Sequence, residues 1–228
     1  MQQSSRKIIS NQQGPHPDLE ALVTKHLTNS FNKPIADFNR AAFETANRLY
    51  LQHQKGFILD SGCGVGESTY HLAKQFPDSL VMGVDQSAHR LNSNSDWTMP
   101  DNGLLIRADL VDFWRLAAGA NWQLWRHFLL YPNPWPKKKH LQRRWHGHPV
   151  FPVLKNLGGA LELRTNWKLY AEEFGMSLKL MTNQPQQLEI WQPGTPITPF
   201  ERKYQASGQS LYRLRTDFAC SLAQSSSL

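Results

Sequence analysis

Cysteine is nearly absent from this chain of 228 residues: Cys63 and Cys220 stand 157 positions apart, so no disulfide framework can be built. A chain of this length buries a core without covalent staples. No run approaches eighteen apolar residues, which argues against a membrane span. The opening MQQSSRKIIS has no apolar signal core, so the expected compartment is a reducing cytoplasm. Global disorder is excluded too, because eight Trp, eleven Phe and six Tyr need somewhere to pack. Acid is missing from one place in particular. Residues 137–148, KKKHLQRRWHGH, hold five Lys/Arg and three His with no Asp or Glu. Without that dozen the chain has 20 basic against 18 acidic side chains, so the net charge of +7 is local. A basic segment beside Trp135 and Trp145 suits a polyanion, nucleic acid before others; a solvated basic helix is the plainer alternative.

The rest of the chain reads as alternation. Asp18 precedes a helical pattern of Leu19, Leu22, Val23, His26 and Leu27. A second helix over 35–54 carries Phe38, Ala41, Ala42, Thr45 and Leu49 on one face. After Gly56, short apolar runs at 57–60, 80–85, 104–107, 126–131 and 160–165 alternate with helix-length stretches. Those stretches are 67–76, 87–95, 110–118, 138–157 and 167–180. The pattern predicts βαβ units and a largely parallel sheet covered on both faces. Runs at 188–192 and 211–218 predict an antiparallel pair that brings an α/β sheet to seven strands. Residues 1–55 form an arm and helical extension, 56–220 the main domain, and 221–228 a flexible tail.

The strongest local signal is Ile58-Leu-Asp-Ser-Gly-Cys-Gly-Val-Gly66, a strand running into glycines that open a helix. Glycines at such a bend let backbone approach a ligand closely. The dinucleotide spacing G-x-G-x-x-G is not met, and the Gly-Lys-Ser/Thr of a phosphate loop is absent. An acid followed by G-x-G-x-G, here Asp60 with Gly62, Gly64 and Gly66, resembles the first motif of S-adenosylmethionine-dependent methyltransferases. Asp60 suits the cationic amino-acid end of that donor. Asp85, closing the second strand, suits the ribose hydroxyls. Asp109, past the third, falls beside the adenine. Any one of these acids can simply cap a helix; three at successive strand ends point to the cofactor. Cys63 reads as a small filler, and the nine histidines as surface or basic-patch groups without metal-ligand spacing, so no metal is expected.

The fourth strand ends in Tyr131-Pro-Asn-Pro-Trp-Pro-Lys137, followed by His140 and Arg143-Arg144. Then come Thr165-Asn-Trp-Lys-Leu-Tyr-Ala171 and Thr198-Pro-Phe-Glu201. In order and spacing these resemble the motifs of bacterial tRNA (guanine-N7-)-methyltransferases over roughly residues 57–218. The resemblance implies a Rossmann-like class I methyltransferase fold, S-adenosylmethionine as cofactor and tRNA as partner. It places Asp60, Asp85, Asp109 and the glycines at the donor. It places Lys137, Asn166, Thr198, Pro199, Phe200 and Glu201 at the substrate, and Asn133 at the catalytic position beside the donor. Asn133 and Asn166 are departures, since the family has Asp at both, and each removes a negative charge. Lys138, Lys139, Arg143 and Arg144 are expected on RNA phosphates, with Trp135 as a stacking face or a loop anchor. Asn166-Trp167 can also be a helix cap, and Thr198–Glu201 has the form of a capping box. Two rival readings stand beside N7 methylation. Asn133-Pro134-Trp135 is similar to the Asn-Pro-Pro-aromatic motif of amino-group methyltransferases, with its order disturbed. A paralogue that binds donor and RNA but has lost turnover is the other.

Overall fold

In the computed structural model, residues 5–53, 56–93 and 95–218 are described. The expected tail over 221–228 and Cys220 lie outside them. Two helices, α1 (Leu19–Thr28) and α2 (Asp37–Gln52), precede an alternating core. That core runs β1 (Phe57–Ser61), α3 (Glu67–Gln75), β2 (Leu80–Asp85), α4 (Ala88–Leu91), β3 (Gly103–Arg107), α5 (Leu110–Gly119) and β4 (Arg126–Leu130). It continues with α6 (Val153–Leu157), β5 (Ala160–Thr165), α7 (Lys168–Thr182), β6 (Gln187–Trp191), α8 (Pro199–Ala206) and β7 (Leu211–Asp217). Among the described residues the sheet has seven strands in the order β3-β2-β1-β4-β5-β7-β6, and β7 runs opposite to the other six. The α/β class and the seven-stranded sheet are therefore as expected.

Why the strands sit centrally is plain from their composition. β1 (FILDS) and β2 (LVMGVD) are buried at every position, as parallel strands covered by helices on both faces must be. The main core joins Leu59, Met82 and Leu163 of the sheet to Phe113, Trp114 and Phe174 of the covering helices and to Phe151 of the turn before α6. Phe43 and Ala46 of α2 belong to the same core, and Tyr50 stacks on Trp122 with ring centres 4.6 Å apart.

Three local expectations are corrected. The inward face of α2 is Asn39, Phe43 and Ala46, one position away from the apolar pattern; Phe38 is 59% exposed. The cause is polar: Asn39 Nδ2 donates to Asp112 at 2.7 Å and its Oδ1 accepts from Asp109 N at 2.9 Å. The stretch 138–157 is not one helix but two 3-10 turns, Lys138–Arg143 and Trp145–Gly147, followed by short α6. Pro149 and Pro152 break helical bonding, and a Cβ at Gly147 would lie 2.2 Å from the Leu141 carbonyl oxygen. Among the described residues of 87–95 only Ala88–Leu91 is helical, and Ser93 Oγ donates back to Arg90 O at 2.7 Å instead of extending it.

Candidate active site

The carboxyl edge of the sheet presents polar groups in strand order. Asp109 follows β3, Asp85 ends β2, Asp60 lies in β1, Asn133 follows β4 and Asn166 follows β5. Strand order reverses between β1 and β4, and ligands of open α/β sheets bind outside that edge at such a reversal.

Gly62, Gly64 and Gly66 all take positive φ (79°, 62° and 84°), a region that other residues enter at a cost. Gly62 N and Cys63 N donate to Val84 O, and Gly64 N donates to Asp85 Oδ2 at 3.1 Å, which fixes the loop against β2. A Cβ at Gly64 would meet nothing within 4 Å, so the loop faces open space that a bound molecule can fill. At Gly66 it would strike Leu105 at 2.7 Å, so that glycine serves packing.

Each acid has a distinct state. Asp60 is buried; its Oδ2 accepts from Ser68 and Thr69 hydroxyls at 2.6 and 2.8 Å, while its Oδ1 has no partner among the described residues. Burial, offset by those hydroxyls, pushes its carboxyl up to about 6. An orphaned buried oxygen beside an open glycine loop fits a cationic ligand group. Asp85 accepts from Ser87 N at 2.8 Å and from Gly64 N, and half-exposed Arg90 covers Oδ2 at 3.2 Å. Asp109 caps α5 through Val111 N and Asp112 N, both on one oxygen. The capping alternative thus holds for Asp109 while its other oxygen is left over.

Beyond β4 the chain turns sharply. Tyr131 and Trp135 bracket Asn133 with φ of 52° and 46°, a costly conformation for bulky residues that only firm anchorage maintains. The anchor is Arg144. Its Nε and Nη2 donate to Trp135 O at 3.2 and 3.1 Å, and its Nη1 pairs with Glu173 of α7. Arg144 is completely buried, so its expected place among the phosphate-binding residues is corrected. A guanidinium tied to a carboxylate and a carbonyl inside the protein is a strut. Lys137, Lys138, Lys139 and Arg143 are exposed, and Arg143 lies over Trp135 with 4.8 Å from guanidinium carbon to ring centre. Trp135 is half-buried.

The β6–α8 loop is built the same way. Thr198 Oγ1 accepts from Glu201 N at 2.9 Å, an N-cap with Pro199 at the start of α8. Glu201 is fully buried and accepts from Tyr131 Oη (2.8 Å), Arg164 Nη1 (3.0 Å), Trp191 Nε1 (3.1 Å) and Ile197 N (2.9 Å). Its carboxylate is consumed, so the direct substrate contact expected of it is corrected: it shapes the wall. Pro199 and Phe200 are exposed on that wall. Asn166 does not cap α7; Thr165 Oγ1 accepts from Trp167 N, while Asn166 Nδ2 donates to Gln209 Oε1 at 2.9 Å.

Two histidines are corrected from surface groups to core groups. His127 faces Ser61 Oγ at 2.7 Å, and burial lowers its pKa to about 3. His146 is bonded to Glu173 at 3.0 Å. Burial pushes the Cys63 thiol well up, with Asp60 and Asp85 adding to it, so it is no nucleophile. Among the described residues no His/Cys/Asp/Glu group of metal-ligand form occurs, and no helix is long and apolar enough to cross a membrane. Sequence reasoning missed Glu173. Its signal is phase: it shares an inward helical face with Tyr170, Phe174 and Ser177, where a lone acid demands a buried partner.

An open sheet of this order with a glycine loop and an acid at its first strand end is the class I methyltransferase arrangement, whose cofactor is S-adenosylmethionine. Solved structures agree on the fold. A 16S rRNA methyltransferase, KamB, superposes with TM-score 0.54 at 14% identity, covering 81% of this chain and 94% of that one. An aminoglycoside resistance methyltransferase, NpmB1, gives 0.53 at 18%, covering 80% and 93%. The model of the family described as "Putative methyltransferase" matches residues 54–214. The tRNA (guanine-N(7)-)-methyltransferase of Halorhodospira halophila is 32% identical over 187 residues, 71% of this chain and 76% of that protein. That of Ectopseudomonas mendocina is 29% identical over 195 residues, 79% and 76%. The chain is a methyltransferase, and it belongs to the tRNA (guanine-N7-)-methyltransferase family.

Proposed function

We propose that this protein transfers a methyl group from S-adenosylmethionine to N7 of a guanine in tRNA. The observation that carries the reading is the row along the sheet edge: an open glycine loop with the orphaned oxygen of Asp60, then Asn133, then exposed lysines. The donor supplies an electrophilic methyl on a sulfonium. Asp60 holds the cationic amino-acid end, Asp85 the ribose and Asp109 the adenine. Asn133, exposed at the tip of a strained turn, stands between donor edge and lysines, where it orients the target base. Guanine N7 carries a free lone pair, so no general base is needed. Alignment and local electrostatics remain as the chain's contribution. Lys137 and its neighbours bind phosphates, and Asn166 with Phe200 lines the substrate side. We place this activity in the cytoplasm, where tRNA resides.

The test is incubation with labelled S-adenosylmethionine and unmodified bulk tRNA, followed by nucleoside analysis. Labelled 7-methylguanosine is expected. Label in an exocyclic amino group would favour the amino-group reading through Asn133-Pro134-Trp135. Donor and tRNA binding with no product would mark a paralogue without turnover.

A further inference from the structure

Residues 5–18 lie across the carboxyl edge of the sheet and are fastened at three places. Ser5 is held by the turn before β7: its N donates to Ser207 Oγ and its O accepts from Gln209 Nε2, both at 2.9 Å. Ser10 Oγ donates to Pro136 O at 2.6 Å, and Asn11 Oδ1 accepts from Lys138 N at 3.1 Å, so the arm bonds the backbone of the lysine loop itself. Gln12 Nε2 and His16 N donate to buried Glu173, and Gln12 Oε1 accepts from Arg144 at 3.0 Å.

Between arm and lysine loop lies a groove of about 740 Å³, with Ile9, Ser10 and Asn11 on one side and Lys137, Lys138 and Lys139 on the other. It continues into a second hollow of about 700 Å³ that adds Lys25 of α1 and Arg143. His16, Asp18, Lys138 and Lys139 border both, so the two form one trough. Five cationic side chains line it against a single carboxylate, Asp18. RNA carries one charge per nucleotide, and a trough of this balance starting at the active-site loop matches a backbone rather than a free base.

We propose that the N-terminal arm and α1 form the second wall of an RNA groove, which takes the sugar–phosphate backbone flanking the target nucleotide. This rests on the RNA-methylating reading above. The arm has two roles in it. It orders the lysine loop through Pro136 and Lys138, and it carries the groove onto Lys25.

The full-length protein tests this with three single variants beside one in which Lys138 and Lys139 are neutral, reading tRNA affinity against potassium chloride concentration. Asn11→Asp keeps the acceptor for Lys138 N and sets a negative charge in the groove. Lys25→Glu reverses a charge that lies outside the lysine loop. Lys74→Glu makes the same change on α3, outside the groove. The first two are expected to bind tRNA several-fold more weakly, and Lys25→Glu to flatten the log–log salt dependence by about 0.7 for each phosphate that is no longer neutralised. Donor affinity and melting temperature should stay as in wild type, and Lys74→Glu should behave as wild type. If Asn11→Asp and Lys25→Glu bind normally while neutral Lys138 and Lys139 weaken binding, the arm is no wall and the proposal fails alone. If neutralising Lys138 and Lys139 also changes nothing, the RNA reading beneath it fails with it.

Discussion

The hydroxyl of Tyr131 donates to Glu201 Oε1 across 2.8 Å, and Glu201 has no contact with solvent. Burial, with the Glu201 charge beside it, keeps the phenol protonated as a donor. The same carboxylate holds Arg164, so β4, β5 and α8 meet on one charge. Glu201→Gln sets an amide N–H among groups that all donate to the carboxylate, leaving at least one of them unmet, while Arg164 keeps Glu162 at 2.6 Å. An unmet buried hydrogen bond of this kind costs roughly 1–3 kcal/mol. Urea unfolding should show a loss of about that size, with donor affinity retained by the folded fraction. Unchanged stability would mean that the carboxylate acts on substrate after all.

Asp60 should make donor binding depend on pH. Its carboxyl titrates at about 6 in the folded protein, above the ordinary value, because burial disfavours the charged form. A cationic ligand group binds the ionised form, so protons compete with the donor and affinity rises with pH. Between pH 5 and 7 the ionised fraction changes about tenfold, and the donor dissociation constant should fall by the same factor. Calorimetry across that window checks it. Asp60→Asn should bind weakly and without the pH dependence; a dependence that survives in this variant removes Asp60 from the donor site.

Asp85 should contribute directly as well. Arg90 sits on its Oδ2 from the solvent side, and this half-exposed side chain turns away at little cost when a ribose arrives. Asp85→Ala then loses charge-assisted bonds to the ribose and the tie to Gly64 N together. Donor binding is expected to weaken by roughly 1–3 kcal/mol. Equal affinity in a folded variant would remove Asp85 from the donor site.

The glycine loop and its acid were legible in the sequence because their signals are local. Asp60-Ser-Gly-Cys-Gly-Val-Gly66 needs only a strand, a turn and a helix in succession, and that succession is visible in hydrophobic spacing. The struts were not legible, because they join residues far apart in the chain. Arg144 looks like its neighbour Arg143, yet one is buried against Glu173 and the other lies on Trp135. Only tertiary placement separates them. The face of α2 failed for a related reason: Asn39 is inward because distant Asp109 and Asp112 need its amide.

That difference between the arginines is itself testable. Replacing Lys138, Lys139 and Arg143 with neutral residues should weaken tRNA binding and reduce its salt slope by about 0.7–0.9 per phosphate released, without changing stability. Arg144→Ala should do the opposite. It strips Glu173 of its guanidinium and Trp135 of its anchor, a loss on the order of 3–5 kcal/mol. Thermal unfolding beside salt-dependent binding separates the two. Arg144→Ala with wild-type melting and a flattened salt slope would restore it to the phosphate patch.

The two amides call for different expectations. Guanine offers adjacent N1–H and N2–H donors, which a carboxylate accepts as a pair, whereas an amide meets one of them with its own N–H. The methylated base is cationic, so negative charge nearby also favours the late transition state. On charge alone, aspartate at both 133 and 166 should give the fastest enzyme. The structure separates the positions. Asn133 is exposed and its oxygen lies 3.5 Å from Trp135 N, so Asn133→Asp meets no obstacle. Asn166 donates to Gln209 Oε1, and Gln209 donates in turn to Ser5 O. An aspartate at 166 sets oxygen against oxygen, and a flipped Gln209 amide would only move the conflict to Ser5. One such unmet hydrogen bond costs roughly 1–3 kcal/mol, as much as the new bond to guanine supplies. Single-turnover formation of 7-methylguanosine on unmodified tRNA should therefore rise about tenfold or more in Asn133→Asp. Asn166→Asp should bring no gain, and the double variant should run no faster than Asn133→Asp. A double variant far ahead of the single one would show that the Gln209 tie is dispensable. A slower Asn133→Asp would show that this enzyme reads its base through the amide.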